Sequence, residues 1–368
     1  MRRSLLAVAA LAAAATLPTA AQAAKAPLAS YSPGGGSKIV VFGHRGASGY
    51  RPEHTLASYT LAARMGADVI EPDLVVTKDD QLVVRHEPEI GGTTDVADHP
   101  EFADRKTTKT IDGVKNTGWF TEDFTLAELK TLRAKERLPD LRQHNTTYDG
   151  RYEIPTFQEV VDLRAKLSRQ LHRTIAIAPE TKHPTYFRST GHDVTALLVQ
   201  ALRRNGLDKA RSPVYIQSFE VDNLKQLNTQ VGDQLVQLLS ATGSPADSSP
   251  PNTGTPTYAQ LSSKAGLRGI AKYADSASPD YQQILPRTKA GASLPATSFV
   301  KDAHAAGLKV VPYTVRPENS FLPTDLRRGD KPEDYGDVIT LFERLYAQRI
   351  DGIFSDTPDI AVAVRDGQ

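Results

Sequence analysis

Val69-Ile70-Glu71-Pro72-Asp73-Leu74-Val75-Val76 is an apolar run interrupted by two carboxylates and a proline. Such a run reads as a parallel strand buried on both faces. Side chains at i and i+2 of a strand share a face, so Glu71 and Asp73 project together. Two neighbouring anions in an apolar setting repel each other and lose hydration. A cation is the simplest compensation, and an all-oxygen ligand set suits a hard one, Ca²⁺ or Mg²⁺. Pro72 fits a strand end or bulge, since proline cannot donate to the ladder. The competing reading turns both carboxylates to water on an edge strand.

Seven further runs have the same short, Val/Ile/Leu-rich character. With 68–76, the strand candidates are 39–43, 174–178, 214–218, 235–239, 267–273, 309–315 and 352–355. Helix signals fall between them. Thr55 can cap a helix ending near Gly66. Thr156-Phe157-Gln158-Glu159 is a capping box ahead of Val160, Leu163 and Leu167. Helices near 193–205 and 296–306 stop at Gly206 and Gly307, where glycine relieves the left-handed cap. Eight strand–helix alternations predict an α/β fold, a (β/α)₈ TIM barrel.

Three features depart from plain alternation. Lys78-Asp79-Asp80 is a turn signal, so 81–86 reads as an extra hairpin strand folding back over the barrel mouth. Residues 88–153 form an insertion after the second strand, with a short helix capped by Thr125 and Glu128. Loops at 241–257 and 316–336 are long and polar. No internal repeat is present.

The N-terminus has a charged start, an Ala/Leu run to about Leu17 and Ala21-Gln22-Ala23, a small-x-small cleavage site. Residues 1–23 read as a signal peptide, either ordinary or twin-arginine through Arg2-Arg3, which implies export from a bacterium. Residues 24–37, with Pro33-Gly34-Gly35-Gly36, read as a flexible leader before a barrel spanning 38–368. No later run is long enough for a membrane anchor. Cleavage after Ala23 removes two arginines and moves the formal net charge from +1 to −1. That balance argues against a nucleic-acid partner. There is no cysteine, so an exported chain of this length must rely on its core.

Active sites of such barrels lie at the C-terminal strand ends. His44 and Arg45 end the first candidate strand, and His86 ends the hairpin strand. Gly46 and Gly49 would let backbone N–H groups approach an anion, with the Arg45 fork beside them. Two histidines as proton carriers, an arginine and a divalent ion suit phosphate-ester chemistry. Glu180 and Lys182 share a face at the end of 174–178. The first is a third carboxylate for the metal and the second a cation for developing negative charge, against the reading of a surface ion pair. Gln217 either touches a phosphate oxygen or makes a structural hydrogen bond. Trp119 and Phe120 either pack the insertion or wall the substrate pocket. His183 could line the mouth. His99, His144, His172, His192 and His304 read as solvated. Zinc is disfavoured because His-x-x-x-His and cysteine spacings are absent.

Taken in order, His44-Arg45-Gly46-Ala47-Ser48-Gly49-Tyr50-Arg51-Pro52-Glu53-His54-Thr55, Glu71-x-Asp73 and Leu82-Val83-Val84-Arg85-His86 resemble the glycerophosphodiester phosphodiesterases, most of all their periplasmic, secreted bacterial branch. The resemblance runs over residues 39–358. It includes Glu122-Asp123-Phe124-Thr125-Leu126 and Asp351-Gly352-Ile353-Phe354-Ser355-Asp356. It implies Glu71, Asp73 and Glu180 as ligands of one divalent cation, Ca²⁺ before Mg²⁺. It implies His44 and His86 as the acid–base pair, and Arg45 and Lys182 on the phosphate. Three positions depart from many relatives: His54 stands for Asn, Glu87 for Asp, and Tyr313, on the substrate wall, for Trp.

The implied reaction is hydrolysis of a glycerophosphodiester to sn-glycerol 3-phosphate and an alcohol, through a cyclic glycerol phosphate. Candidate substrates are deacylated phospholipid head groups and the end of glycerol phosphate teichoic acid. The rival readings are a cyclising phospholipase D of the same barrel class and a non-catalytic glycerol phosphate binding protein.

Overall fold

A computed structural model of the chain describes residues 38–248 and 256–367. The expected signal peptide, the leader and part of the 241–257 loop lie outside the described residues. Eight strand positions form the expected parallel barrel. They are Val40–His44; Val69–Glu71 with Asp73–Val76; Ala176–Ile177 with Glu180–Thr181; Tyr215–Ser218; Gln234–Leu239; Ser276–Pro279; Lys309–Val310; and Gly352–Ser355. Each neighbouring pair from the eighth position round to the seventh is parallel. The ring closes where Asp351 N–H donates to the Val310 carbonyl at 2.8 Å, Phe354 N–H donates to Pro312 at 3.0 Å, and Val315 bridges Ser355.

Pro72 and Pro179 split the second and third strands, since neither has an N–H to donate. Pairing resumes at once beyond them. Glu180 N–H donates to the Pro72 carbonyl at 3.0 Å and Lys182 N–H to Leu74 at 3.1 Å.

The sixth strand corrects the sequence expectation. Residues 267–273 are not a strand; Lys264–Ile270 is a helix capped by Ser263, which accepts from Gly266 N–H. Leu267 and Ile270, three apart, form its buried stripe. The actual strand is Ser276-Ala277-Ser278-Pro279, buried throughout. It escapes an apolar-run search because its inward face is serine. The helices Leu56–Arg64, Phe157–Gln170, Val194–Arg204 and Phe299–Ala305 follow their expected caps and stops.

The barrel interior is plugged by Phe42, Val69, Ala176, Ala178, Tyr215, Val236, Val311 and Phe354. The Phe42 ring lies 4.6 Å from its register partner Phe354 on the neighbouring strand and 5.3 Å from Tyr215 across the barrel, between centroids. Because alternate residues of a strand face inward, the next inward positions are set by this plug. They are His44 after Phe42, Glu71 and Asp73 after Val69, and Glu180 and Lys182 after Ala178. Gln217 follows Tyr215, Tyr313 follows Val311 and Asp356 follows Phe354. Register brings them level: His44 pairs with Glu71, Asp73 with Glu180, and Glu180 with Gln217.

The extra strand, Leu82–Val84, runs antiparallel to Asp73–Val76. Beyond it the buried Arg85 donates to the carbonyls of Glu53 at 2.9 Å and His54 at 2.7 Å. That clamp ties the hairpin to the loop after the first strand. Between this hairpin and the helix Phe157–Gln170 come short 3₁₀ turns, an antiparallel hairpin of Thr107–Ile111 and Val114–Gly118, and the helix Leu126–Leu129 with its Thr125/Glu128 capping box.

Phe42→Ala would leave a void at the centre of the plug that its neighbours cannot close. The expected loss is about 3–5 kcal/mol of folding stability, read as a lower urea midpoint. An unchanged midpoint would show that the plug does not carry the barrel.

Candidate active site

Glu71, Asp73 and Glu180 converge. One carboxylate oxygen of each lies within 4.8 Å of the others, and all three side chains are buried. Glu71 Oε2 accepts the backbone N–H of Arg45 at 2.7 Å. Asp73 Oδ2 accepts from His54 Nε2 at 2.8 Å, and His54 Nδ1 meets the Tyr59 hydroxyl at 2.7 Å. His54 is fully buried, so it acts on Asp73 and not on the cavity. Glu180 Oε1 pairs with Lys182 Nζ at 3.0 Å.

Three buried anions at this spacing cannot all keep their charge on protein groups alone. Burial, Asp73 and Glu180 hold the Glu71 carboxyl well above the usual range. Burial and Asp73 push Glu180 up to about 8, against the pull of Lys182. Asp73 takes the opposite direction. Burial opposes its charge, but Lys182 and His54 outweigh that and hold it well below the usual range. Its Oδ1 is buried without a hydrogen-bond partner. Three enclosed carboxyls that stay together only by holding protons, with one Asp73 oxygen served by no other donor, fit a hard divalent cation, which would replace those protons.

His44 and His86 both line a cavity of about 210 Å³ together with Glu71, Glu180, Arg45, Gln217 and Tyr313. His44 Nδ1 is 2.6 Å from Asp356 Oδ1. Asp356 Oδ2 also accepts from Arg142 at 2.6 Å and Arg316 at 3.0 Å. Burial opposes the Asp356 charge, but these two guanidiniums and His44 hold its carboxyl well below the usual range. His86 Nδ1 is 2.8 Å from Glu87 Oε1, and its Nε2 is 3.5 Å from Lys182 Nζ. Burial, with help from Arg45, lowers His44 to about 4. Burial, Arg45 and Lys182 lower His86 to about 3. Burial and cationic neighbours thus favour the neutral form of each ring, with Nδ1 committed to a carboxylate. Nε2 of His86 faces the Lys182 ammonium, and the Nε2 atoms are the positions that remain for proton exchange.

Arg45 holds Glu53 through both carboxylate oxygens at 2.9 and 3.0 Å, and its Nε, 3.7 Å from Asp73 Oδ2, has no hydrogen-bond partner. Gly46 and Gly49 do not form the expected anion cradle. Their N–H groups are spent on the Gly43 and Asp356 carbonyls. They are glycines because a Cβ would lie 2.3 Å from Ser58 Oγ at Gly46, where φ is +90°, and 2.9 Å from the Asp356 carbonyl at Gly49.

Gln217 is buried and donates to the Ala178 carbonyl at 2.9 Å while lining the cavity. Tyr313 lines it too, its hydroxyl donating to the Leu239 carbonyl at 3.1 Å. Trp119 and Phe120 do not. Trp119 Nε1 donates to the Phe102 carbonyl at 2.7 Å, and both side chains are buried in the large apolar cluster that continues from the insertion into the barrel. The aromatic wall is made by Phe219, Tyr281, Tyr313 and Phe321 instead. Sequence reasoning gave no role to Asp356, Arg142, Arg316, Glu53 or Phe219. Strand alternation carried a signal for two of them, two residues beyond Phe354 and Gln217. Arg142 reaches Asp356 from the insertion and had no local signal.

Residues 44–360 match the family model described as Glycerophosphoryl diester phosphodiesterase family. A glycerophosphodiester phosphodiesterase of Arabidopsis thaliana is 34% identical over 326 residues, covering 85% of this chain and 82% of that protein. One of Haemophilus influenzae is 29% identical over 345 residues, covering 89% of each. Among solved structures, an Oleispira antarctica phosphodiesterase in complex with the product sn-glycerol-3-phosphate superposes with a TM-score of 0.55 at 20% identity, covering 89% of this chain and 97% of that one. A glycerophosphodiester phosphodiesterase from Agrobacterium tumefaciens gives 0.52 at 17%, covering 88% and 99%. At these identities the structural likeness speaks for the fold alone.

Since Glu180 keeps its proton up to about pH 8, a cation entering the cluster must expel protons. Apparent Ca²⁺ affinity is therefore expected to rise from pH 5 to pH 8, with proton release visible in calorimetry across buffers of different ionisation enthalpy. A pH-independent affinity over that range would contradict the three-carboxylate site.

Proposed function

Because the chain belongs to the glycerophosphoryl diester phosphodiesterase family and is therefore a phosphoric diester hydrolase, we propose that its cavity cleaves glycerophosphodiesters to sn-glycerol 3-phosphate and an alcohol by histidine acid–base catalysis. One observation carries this reading. Two neutral histidines, each with Nδ1 held by a carboxylate, open on one cavity beside three converging carboxylates. Relatives 34% and 29% identical over most of the chain are named glycerophosphodiester phosphodiesterases, which supports the same product here.

Glu71, Asp73 and Glu180 would hold a divalent cation. When bound, it supplies Lewis-acid polarisation of a phosphate oxygen and lowers the pKa of a neighbouring hydroxyl. Ca²⁺ is the proposed ion, because it accepts an all-oxygen set with flexible geometry, whereas Mg²⁺ demands a near-ideal octahedron. Arg45 lines the cavity and sets a fixed positive charge beside the phosphate, and Lys182 adds positive charge where the transition state gains negative charge. Glu53 fixes the Arg45 guanidinium in advance, so less order is lost on binding.

One histidine takes the proton of the glycerol 2-hydroxyl through Nε2. The hydroxyl oxygen bonds to phosphorus, the bond from phosphorus to the leaving alcohol breaks, and the other histidine gives that alcohol its proton. Water then opens the cyclic glycerol phosphate with the two roles reversed. The acid must be protonated, although burial and cationic neighbours keep both rings neutral in the free protein. A bound phosphodiester anion offsets Arg45 and Lys182 and so raises the acid's pKa. Asp356 and Glu87 stabilise whichever imidazolium forms.

On the outer wall Phe219, Tyr281, Tyr313 and Phe321 offer apolar contact to the leaving alcohol. Glycerophosphocholine and the terminal unit of glycerol phosphate teichoic acid are the proposed substrates. The N-terminal segment supports export from a bacterium, and among the described residues no helix is long and apolar enough to cross a membrane.

His44→Ala and His86→Ala are each expected to lower kcat on glycerophosphocholine by about 10²–10⁴ with the fold intact. Excess chelator should abolish turnover and added Ca²⁺ restore it. Near-normal turnover by both variants, or in chelator, would sink the mechanism. Asp356→Asn keeps the size of its side chain but cannot carry the countercharge, so its loss should fall mainly on kcat; a change confined to KM would contradict its role.

A further inference from the structure

Glu87 presents His86 to the cavity, yet its side chain is 48% exposed. A glutamate in that position has three rotatable bonds and loses entropy when held still. Its two oxygens are held from two directions. Oε1 accepts from His86 Nδ1 at 2.8 Å, and Oε2 accepts from His183 Nε2 at 3.1 Å. His183 Nδ1 in turn donates to Asp112 Oδ2 at 2.6 Å. With a carboxylate on either side, both ring nitrogens must donate, and only the imidazolium can do that. Burial opposes its charge, and Lys182 repels it, but the hydrogen bonds to Asp112 and Glu87 prevail and push its pKa up to about 9.

The chain Asp112–His183–Glu87–His86 joins three separate parts of the fold. His86 and Glu87 follow the extra strand, His183 follows the third barrel strand, and Asp112 lies in the turn of the inserted hairpin. Ordinary local duties do not account for His183. It precedes the helix Pro184–Ser189 but makes no side-chain capping bond there. Its φ of +44° lies in the left-handed region that non-glycine residues rarely adopt. Asp112 also has a positive φ, +49°, as does Gly113 after it, which is the requirement of a tight two-residue hairpin turn.

We propose that Asp112 and His183 are positioning residues for catalysis: the turn of the inserted hairpin holds His183, His183 pins Glu87, and Glu87 fixes the tautomer and aim of the His86 ring. The insertion thereby acts on a proton-transfer group it does not touch. The inference rests on the reading of His86 as one of the acid–base pair.

The test is steady-state kinetics on glycerophosphocholine at saturating Ca²⁺, with thermal melts to monitor folding. His183→Ala should lower kcat about 10-fold, with KM changed less than twofold, because a misaimed ring slows proton transfer without weakening binding. The double variant with Glu87→Ala should be no slower than Glu87→Ala alone, since both act through one contact. His183→Gln, whose amide can donate to Glu87, should recover most of the loss. If His183→Ala does not fold, Asp112→Gly serves in its place, as glycine accepts the left-handed turn, and Asp112→Asn should regain what Asp112→Gly loses. Wild-type kcat in His183→Ala or in Asp112→Gly, or additive losses in the double variant, would overturn the proposal. His86→Ala separates the two layers. If it is inactive while His183→Ala is unaffected, only this inference falls. If it turns over normally, the reading of His86 falls with it.

Discussion

Mutual repulsion among Glu71, Asp73 and Glu180 is the constraint around which the rest of the site is built. Parallel pairing sets Asp73 level with Glu180, and strand alternation points Glu71 into the same space. Two unit charges at the outer limit of 4.8 Å cost about 3–4 kcal/mol at an effective dielectric constant near 20. Three such pairs would outweigh a sizeable share of a typical domain's net stability. Every charged neighbour serves to contain that cost. Lys182 pairs with Glu180, the Arg45 backbone serves Glu71, and His54 steadies Asp73. Asp73 Oδ1 remains unpaired, and a hard cation is the group whose chemistry completes the set.

The same positive charges shape the histidines. Arg45 and Lys182, together with burial, keep His44 and His86 neutral, which is the state a general base needs. Asp356 and Glu87 then choose the tautomer by occupying Nδ1. The two carboxylates are anchored differently. Asp356 is buried under Arg142 and Arg316, whereas Glu87 is half exposed and leans on His183. Both anchoring routes lead to the insertion, through Arg142 on one side and Asp112 on the other. A barrel supplies rigid strand ends, and the inserted segment supplies the restraint that the short loops lack.

Much of this was legible from residue order. Glu71-x-Asp73 and Glu180-x-Lys182 could be read as shared faces because strand geometry has a period of two, and His44 and His86 because they close apolar runs. Where the reading failed, the local pattern was ambiguous or misleading. Leu267–Ile270 looked like a strand because its apolar spacing is short, yet it is a helical stripe, while the true sixth strand hides behind serines. Gly46 and Gly49 suggested a phosphate cradle, but close packing against Ser58 and the Asp356 carbonyl explains them. Trp119 and Phe120 carried the right chemistry for a substrate wall and were drawn into the apolar core instead.

Sequence by itself determined the barrel and the family, through strand–helix alternation and the order of motifs along the whole chain, and it placed the three carboxylates and the two histidines at strand ends, through spacing within a few residues of each strand. Tertiary structure decided which groups restrain them. Asp356 lies 312 residues from His44, Arg142 lies 214 from Asp356, and Asp112 lies 71 from His183. Such partners are chosen by barrel closure and by where an insertion lands, and no local periodicity records either.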